Sequence, residues 1–397
     1  MALAAVPRYA DGRGARRLRV GIAGIGAAGQ AFIAPLQGHA GFDWVAVAEP
    51  DAALRTRMQQ AHGVSGHATL AEMLAQAEVD AVYIATPTPL HAGQVAQAAA
   101  AGKHVLVEKP MASTLADARA MVDAAARAGV QLLVGHSHSH DAPIAAMRGL
   151  IEAGELGRVR MVHTWCYTDW VHRPRRAEEL DAGQGGGVTF RQGAHQFDIL
   201  RLLCGGRARS VRAQAFDWDP ARPTTGAHSA FITFDGGAVA TAVYNGYGGF
   251  ASTDLGFGIS EWGHPPAAGP RPPRLRAATP ADELKAKQAR AATAIPARAP
   301  HQPFFGLTLV SCERGDIRQS ADGLLVCTAD GVREVAVSLD RSPRERVLDE
   351  WHAALSGGAP ALHDGRWGLA TLELCVAALA SSAQGCELPL HEQVAVR

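Results

Sequence analysis

Short apolar runs alternate with longer segments of helical composition along the first third of the chain. The runs read Leu18–Ala23, Trp44–Ala48, Ala81–Ala85 and His104–Val107, and the segments between them include 70–74 and 91–101. A further helix is predicted over Asp117–Ala128, followed by a strand over Gln131–His136. Strands and helices in strict alternation predict an α/β domain with a doubly wound parallel sheet.

The pattern changes after residue 140. One helix is predicted over Pro143–Ala153, and strands follow over Arg158–Tyr167, Ala208–Phe216, Ala227–Phe234 and Ala238–Tyr244. Because no helices separate the last three strands, they predict an α+β domain with an open, mostly antiparallel sheet. We therefore expect an N-terminal tail (1–17), a first domain (18–140) and a second domain (141–397).

Composition narrows the class of protein. A chain of 397 residues exceeds one ordinary core, and its 38 basic and 38 acidic residues give no reason to expect a nucleic acid or membrane partner. Six cysteines without metal-like spacing, and the lack of a long apolar run, predict a cytoplasmic protein.

The segment 263–303 holds nine of the 22 prolines and predicts an extended loop. We expect either a solvated excursion or a positively charged lid.

A glycine-rich turn follows the first strand. Its sequence is Gly24-Ile25-Gly26-Ala27-Ala28-Gly29, a GxGxxG pattern between a strand and a helix. In that context the glycines permit a tight turn, close approach of a pyrophosphate and close helix packing. The second strand ends at Glu49, twenty residues after Gly29, where a carboxylate binds ribose hydroxyls and repels a 2′-phosphate. The two features predict a Rossmann domain that binds NAD in preference to NADP, although Arg55 weakens that preference.

Two further motifs stand at the carboxyl ends of strands, where open α/β sheets bind ligands. They are Thr86-Pro87 and Glu108-Lys109-Pro110. With the glycine turn and the segment from Gly185 to His195, they resemble the glucose-fructose oxidoreductase/inositol dehydrogenase (Gfo/Idh/MocA) family over nearly the whole chain. The resemblance implies that Lys109 lies beside the nicotinamide and bonds the reacting substrate oxygen. It also implies that Thr86, Pro87, His91 and Glu108 contact the cofactor. It also implies a homodimer or homotetramer built on the open sheet.

Arg191 occupies a position where that family usually has Asp. Guanidinium matches carboxylate geometry, so Arg191 predicts an anionic substrate, with Arg173 and Arg175 as further candidates. This segment resembles a branch of the family that oxidises the cis-4,5-dihydrodiol of phthalate, which implies oxidation of a carboxylated dihydrodiol to a catechol. The alternative is that Arg175 and its neighbour Arg176 form ion pairs with acids of the same segment, which runs to Asp181.

Lys109 and His195 are the predicted acid-base residues, and the sequence leaves open which one removes the hydroxyl proton. His136 is predicted to contact the substrate beside His195. A metal site among His136, His138 and His140, with His163 and His172, is the weaker interpretation, and no metal is predicted.

Two other functions remain open from the sequence. One is a sugar, sugar-acid or inositol dehydrogenase of the same family, which Arg191 disfavours because a neutral polyol gains little from a guanidinium. The other is an NAD-binding regulator without catalysis, which the presence of both Lys109 and His195 disfavours.

Overall fold

The first sheet has the predicted parallel arrangement. A computed structural model describes residues 17–265, 279–291 and 299–397. Within them the six strands of this sheet lie in the order β3-β2-β1-β4-β5-β6, and all neighbours are parallel. Their bounds are β1 Leu18–Ala23, β2 Phe42–Ala48, β3 Ser65–His67, β4 Ala81–Ile84, β5 His104–Val107 and β6 Leu132–Val134. The central strands are apolar and buried over 20–23, 81–84 and 105–107, because helices cover both faces of the sheet there.

Capping residues mark the limits of helices in this domain. They are α1 Ala27–Gly38, α2 Ala52–His62, α3 Leu70–Gln76, α4 His91–Ala100 and α5 Leu115–Ala128. The Thr114 hydroxyl accepts a hydrogen bond from the Asp117 amide at the start of α5, and Gly129 ends that helix with φ 66°. A cap side chain at the start and a left-handed glycine at the end are the usual signals of helix limits.

The second sheet is mixed but mostly antiparallel, as predicted. Among the described residues it has nine strands in the order β14-β13-β12-β11-β7-β10-β9-β8-β15, with only β7 and β10 parallel. Their bounds are β7 Val159–Tyr167, β8 Ala208–Phe216, β9 Ala227–Phe234, β10 Val239–Asn245, β11 Leu307–Cys312, β12 Gly315–Gln319, β13 Gly323–Thr328, β14 Gly331–Ala336 and β15 Leu388–Pro389. The turn between β9 and β10 uses Gly237 with φ 80°.

Helices cover one face of this sheet. The remaining helices are α6 Ala142–Glu152, α7 Ala177–Leu180, α8 Gly187–Arg191, α9 Gly193–Cys204, α10 Pro280–Ala291, α11 Pro343–Leu355 and α12 Gly365–Gln384. α9 and α12 pack together on the inner face, where the guanidinium of buried Arg201 lies 3.8 Å from the Trp367 ring. The opposite face exposes Met161, Trp165 and Phe231. An oligomer built on that face stays a prediction.

One helix departs from the predicted domain division. α11 lies far along the chain, yet Val347, Leu348 and Trp351 belong to the apolar core of the first domain. Trp351 is fully buried, and its ring lies 5.1 Å from that of Phe42. The division at residue 141 therefore fails for α11, because the first domain needs this apolar surface to cover α1 and β2.

The loop prediction for 263–303 is wrong in its middle. Pro280–Ala291 is helix α10, which begins behind Thr279, whose hydroxyl accepts from the Asp282 amide. Proline is tolerated in the first turn of a helix, and the Ala, Glu, Lys and Gln residues that follow it favour a helix. This local preference outweighs the high proline content of the whole segment. Residues 266–278 and 292–298 of the segment, like the tail 1–16, lie outside the described residues. In the described part, no helix is long and apolar enough to cross a membrane.

Candidate active site

The glycine turn opens onto a buried carboxylate. Gly24 has φ 90°, and a Cβ there would lie 2.8 Å from the Ala85 carbonyl oxygen. A Cβ on Gly26 would meet nothing within 4 Å. Glu49 accepts hydrogen bonds from the amides of Ile25 (2.9 Å) and Asp51 (3.1 Å), which hold its carboxylate beside the turn. The turn thus has open space in front of Gly26 and an acid beside it.

Two cavities meet at Gly26 and Ala27. The larger cavity, about 970 Å³, is lined by Ile25, Glu49 and residues of α2 and α10. The smaller cavity, about 280 Å³, is lined by Ala28, by residues at the ends of β4 and β5, and by several residues of the second domain. A dinucleotide needs an adenosine site beside an acid, a pyrophosphate site at a helix N-terminus and a nicotinamide site beyond it. The residues present fit NAD in that order.

Glu49 is expected to set the preference for NAD. The Arg55 guanidinium donates to the Glu49 carbonyl oxygen at 2.6 Å, so its position depends on the main chain of this strand end. Glu49→Gln keeps an acceptor for the Ile25 amide and removes the charge that repels a 2′-phosphate. We expect the ratio of NADH to NADPH affinity, measured by fluorescence titration, to fall at least about tenfold. An unchanged ratio would show that another residue selects the cofactor.

Four predicted cofactor contacts lie together at the strand ends. Thr86, Pro87, His91 and Glu108 all line the smaller cavity. The His91 ring is held by the carbonyl oxygens of Thr86 (2.9 Å) and Pro110 (3.2 Å), and burial lowers the pKa of His91 to about 4. Glu108 accepts a hydrogen bond from the Tyr83 hydroxyl at 2.6 Å. A neutral His91 ring carries one N–H, so it donates to one of these two carbonyl oxygens and lies against the other, between the two loops that carry the strand-end motifs.

Lys109 projects from the end of β5 toward the second domain. Its Nζ donates a hydrogen bond to the Arg191 carbonyl oxygen at 2.8 Å. Burial lowers the pKa of Lys109 to about 8, with Glu108 opposing and Arg191 assisting that shift. An amine with that pKa exchanges a proton readily near neutral pH.

His195 lines the same cavity as Lys109 and lies at the start of α9. Its ring contacts His138 (centroids 4.4 Å apart) and Phe305 (5.1 Å), both edge-on. Its Nδ1 is buried and has no hydrogen-bond partner among the described residues. Burial, and then Lys109 and His138, lower the pKa of His195 well below its usual 6.5. The ring is therefore neutral at physiological pH.

Arg191 spans the gap between the two domains. Its Nη1 donates to the Thr88 hydroxyl at 2.8 Å, and its Nη2 lies 3.6 Å from Glu179. Its Nε is buried without a partner in the described part of the chain. Burial alone would raise the pKa of Glu179, but Lys287, Arg175 and Arg191 lower it, so this acid is ionised. Arg191 lines the smaller cavity as a partly compensated cation.

Arg173 and Arg175 also line this cavity, and both have partners. Arg173 pairs with Asp169 at 2.6 Å, and Arg175 lies 4.0 Å from the Trp170 ring centroid and 3.9 Å from Glu179. Burial lowers the pKa of Arg175 to about 9. Arg176 pairs with Glu178 at 3.0 Å. Arg175 and Arg176 thus form the ion pairs that the alternative interpretation allowed.

His136 does not line the cavity, which corrects its predicted position. The chain turns after β6 into a short 3₁₀ turn (Ser137–His140), so the His136 ring lies beside Asp198, 3.9 Å from its carboxylate. Burial lowers the pKa of His136 to about 4. His138 faces the cavity instead, and its Nδ1 lies 2.8 Å from Asp141.

The other histidines considered for a metal are dispersed. His163 bonds Thr241, and His172 lies 3.9 Å from Asp219. His140 joins Glu350 and His363 in a group whose potential ligand atoms lie within 4.8 Å of one another. Burial opposes charge there, but Glu350 and Asp198 raise the pKa of His363 to about 9. Both histidines lie beside the Glu350 carboxylate, His363 Nδ1 at 2.7 Å and His140 Nε2 at 3.1 Å.

Several lining residues were missed by sequence reasoning, among them Glu261, Trp262 and Arg344. Glu261 and Trp262 follow no motif, and Arg344 stands more than 230 positions after Lys109. No local pattern marks such residues, because only the packing of α11 against the 3₁₀ turn at Ser137–His140 brings Arg344 to the cavity.

A Rossmann domain with an acid beside its glycine turn, closed by a second domain over a buried lysine, defines a nicotinamide-dependent oxidoreductase. The comparisons with known proteins agree. Residues 18–136 match the family model described as an oxidoreductase family with an NAD-binding Rossmann fold, and residues 144–250 match the GFO/IDH/MocA C-terminal domain. The chain belongs to the Gfo/Idh/MocA family, and its first domain binds NAD.

One relative is similar over most of the chain. A 1-carboxy-3-chloro-3,4-dihydroxycyclohexa-1,5-diene dehydrogenase from Comamonas testosteroni is 41% identical over 285 residues, which cover 69% of this chain and 72% of that protein. A 1,5-anhydro-D-fructose reductase from Ensifer adhaerens is 36% identical over 135 residues, covering 33% of this chain and 36% of that protein.

Solved structures share the whole architecture. One from Bordetella bronchiseptica RB50 has a TM-score of 0.87 at 38% identity and covers 94% of this chain and 100% of its own. The WlbA dehydrogenase from Bordetella pertussis, solved with NADH and UDP-GlcNAcA, has a TM-score of 0.69 at 21% identity, covering 95% of this chain and 98% of its own. At that identity the second likeness concerns the fold alone.

Proposed function

We propose that this protein oxidises a carboxylated cis-dihydrodiol, of the phthalate 4,5-cis-dihydrodiol type, to the corresponding catechol with NAD. The observation that carries the proposal is the charge of the smaller cavity. Its lining residues include eight lysines and arginines against three glutamates. Low-dielectric walls strengthen such a field and favour an anionic ligand. The C. testosteroni relative supports the class, because its name describes a carboxylated dihydroxycyclohexadiene.

The chain's own residues account for binding and proton transfer. When bound, NAD supplies the acceptor for the hydride that leaves the carbinol carbon. In this proposal Lys109 Nζ takes the hydroxyl proton, because its lowered pKa makes the neutral amine available near pH 8. The neutral His195 ring, which lines the same cavity, holds the second hydroxyl. Loss of hydride and proton leaves a hydroxy-enone, which becomes aromatic by moving one ring proton to oxygen.

Arg191 is proposed to favour carboxylated substrates. Its carbonyl oxygen, which replacement of the side chain retains, holds Lys109, while its guanidinium supplies charge. We therefore expect Arg191→Ala to raise KM for a carboxylated dihydrodiol about tenfold, with a smaller change in kcat. The measurement is NADH formation with the cis-4,5-dihydrodiol of phthalate, the cis-dihydrodiol of benzene, myo-inositol and a sugar acid.

The substrate panel separates the proposed function from its alternatives. Turnover of the carboxylated diol above the neutral diol, with a raised KM in Arg191→Ala, supports the proposal. Turnover of myo-inositol by both proteins at equal KM would place the chain among polyol dehydrogenases. NADH binding without turnover of any compound would favour a regulator.

A further inference from the structure

Arg344 is a cation of the smaller cavity that no sequence motif marks. It is the second residue of α11, behind the helix cap at Ser342. Its guanidinium carbon lies 5.2 Å from the centroid of the Trp262 ring and 5.9 Å from that of Phe32, and it lines the cavity that also contains Lys109 and His195. The side chain thus reaches from the core of the first domain into the place proposed for the substrate.

The described residues give the Arg344 side chain neither a hydrogen bond nor an ion pair, and its guanidinium lies near the two rings. Other cations of the cavity are already engaged with protein oxygens. These are Lys109 with the Arg191 carbonyl, Arg173 with Asp169, Arg175 and Lys287 with Glu179, Arg176 with Glu178, and Arg191 with Thr88 and Glu179. Arg290, which also lines the cavity, interacts with the charges of Asp169 and Glu261. Arg344 therefore keeps donors that an incoming ligand can use.

The acids near Arg344 have other partners as well. Glu108 accepts the Tyr83 hydroxyl, and Glu261 lies 3.8 Å from His138 and 3.9 Å from Arg173. Asp141 bonds His138 through Oδ2 at 2.8 Å, while its Oδ1 has no hydrogen-bond partner in the described part of the chain. Burial lowers the pKa of Arg344, with Glu108 the largest opposing influence, yet a guanidinium keeps its charge in a protein. Arg344 is partly buried, and no protein carboxylate pairs with it directly in the described residues, so a ligand carboxylate would complete the compensation of its charge.

We propose that Arg344 binds a carboxylate of the substrate. The inference rests on the proposed function, and it makes Arg344 a specificity-determining residue in addition to Arg191. A planar guanidinium forms two parallel hydrogen bonds with one carboxylate, which orients the ring as well as attracting it. The Trp262 ring beside the guanidinium provides an apolar surface against which a cyclic substrate can pack.

The test compares Arg344→Gln, Arg344→Lys and Arg346→Gln. Arg346 lies on the same helix outside the lining of the cavity and controls for effects on α11. For Arg344→Gln we expect kcat/KM for the carboxylated dihydrodiol to fall about 30-fold, mainly through KM. The uncharged dihydrodiol of benzene should change less than about threefold, because it lacks the carboxylate that guanidinium binds. For the carboxylated dihydrodiol, kcat/KM of Arg344→Lys should lie between those of the parent and Arg344→Gln, and kcat/KM of Arg346→Gln should equal that of the parent.

Binding without turnover separates failure of this inference from failure of the proposed function. The probe is 3,4-dihydroxybenzoate, titrated against each protein saturated with NADH, with catechol as its uncharged counterpart. Weaker binding of the carboxylate alone in Arg344→Gln supports the role of Arg344, even when no dihydrodiol is oxidised. Equal binding by parent and variant, or equal loss for charged and uncharged compounds, would overturn it and leave Arg344 a structural residue.

Discussion

Lys109→Met is expected to lower kcat for dihydrodiol oxidation about 10³-fold while NADH binds with nearly unchanged affinity. Positioned proton transfer contributes about 10² to 10⁴ in rate, and methionine fills similar space without a proton acceptor. Steady-state rates and NADH fluorescence titration measure the two effects separately. Lys103→Met, a half-buried lysine of the same domain outside the cavity lining, serves as the matched control and should retain full activity.

The pH profile tests whether Lys109 is the base. Below its pKa of about 8 the Lys109 amine is protonated and cannot accept the hydroxyl proton, and above that pH it is neutral. We therefore expect kcat/KM to rise about tenfold per pH unit below pH 8 and to level off above it. His195, whose pKa lies well below 6.5 because it is buried, should add no inflection near neutrality. An inflection in the acid range that persists in Lys109→Met would assign the base to His195.

Gly24→Ala is expected to cost about 3 kcal/mol or more of stability and to abolish detectable NADH binding. The φ of 90° disfavours any side chain, and the new Cβ would lie 2.8 Å from the Ala85 carbonyl oxygen in β4's following loop. For a domain of this size the midpoint of thermal unfolding should fall by roughly 6 to 12 °C. Scanning fluorimetry with and without NADH measures both effects.

Gly63→Ala isolates the contribution of the clash. Gly63 also has a left-handed φ, of 71°, at the end of α2, but a Cβ there would meet nothing within 4 Å. We expect a loss of only about 1 kcal/mol, from backbone conformation alone, with normal NADH affinity. Equal losses in the two variants would show that the close approach of the glycine turn to β4 is not what excludes alanine.

Local sequence was sufficient for the cofactor half of the site. A strand, its glycine turn and the following helix are consecutive, so the spacing of Gly24, Gly26 and Gly29 encodes their shared geometry. Glu49, Thr86 and Lys109 follow strands of one parallel sheet, and the ends of such strands meet at one edge. Short-range order and a single topological rule therefore bring these residues together.

The second half of the site required the fold. The sequence shows that the residues around Arg191 are charged. It does not show which of these cations form ion pairs, because partners such as Glu179 and Lys287 lie up to 108 positions apart in the chain. His138 rather than His136 faces the cavity because the chain changes from strand to a 3₁₀ turn within three residues. The periodicity of apolar and polar positions cannot tell which of two histidines so close in the chain faces a cavity.

By itself, the sequence determined the Rossmann domain, its cofactor and the basic character of the substrate segment, because each depends on residues close together in the chain. Only the tertiary structure decided that α11 completes the core of the first domain, that Arg344 lines the cavity beside Trp262, and that Lys109 is buried enough for its pKa to fall to about 8. The burial of a side chain and the charges around it depend on groups that are distant in the chain. Neither can therefore be assigned without the tertiary structure.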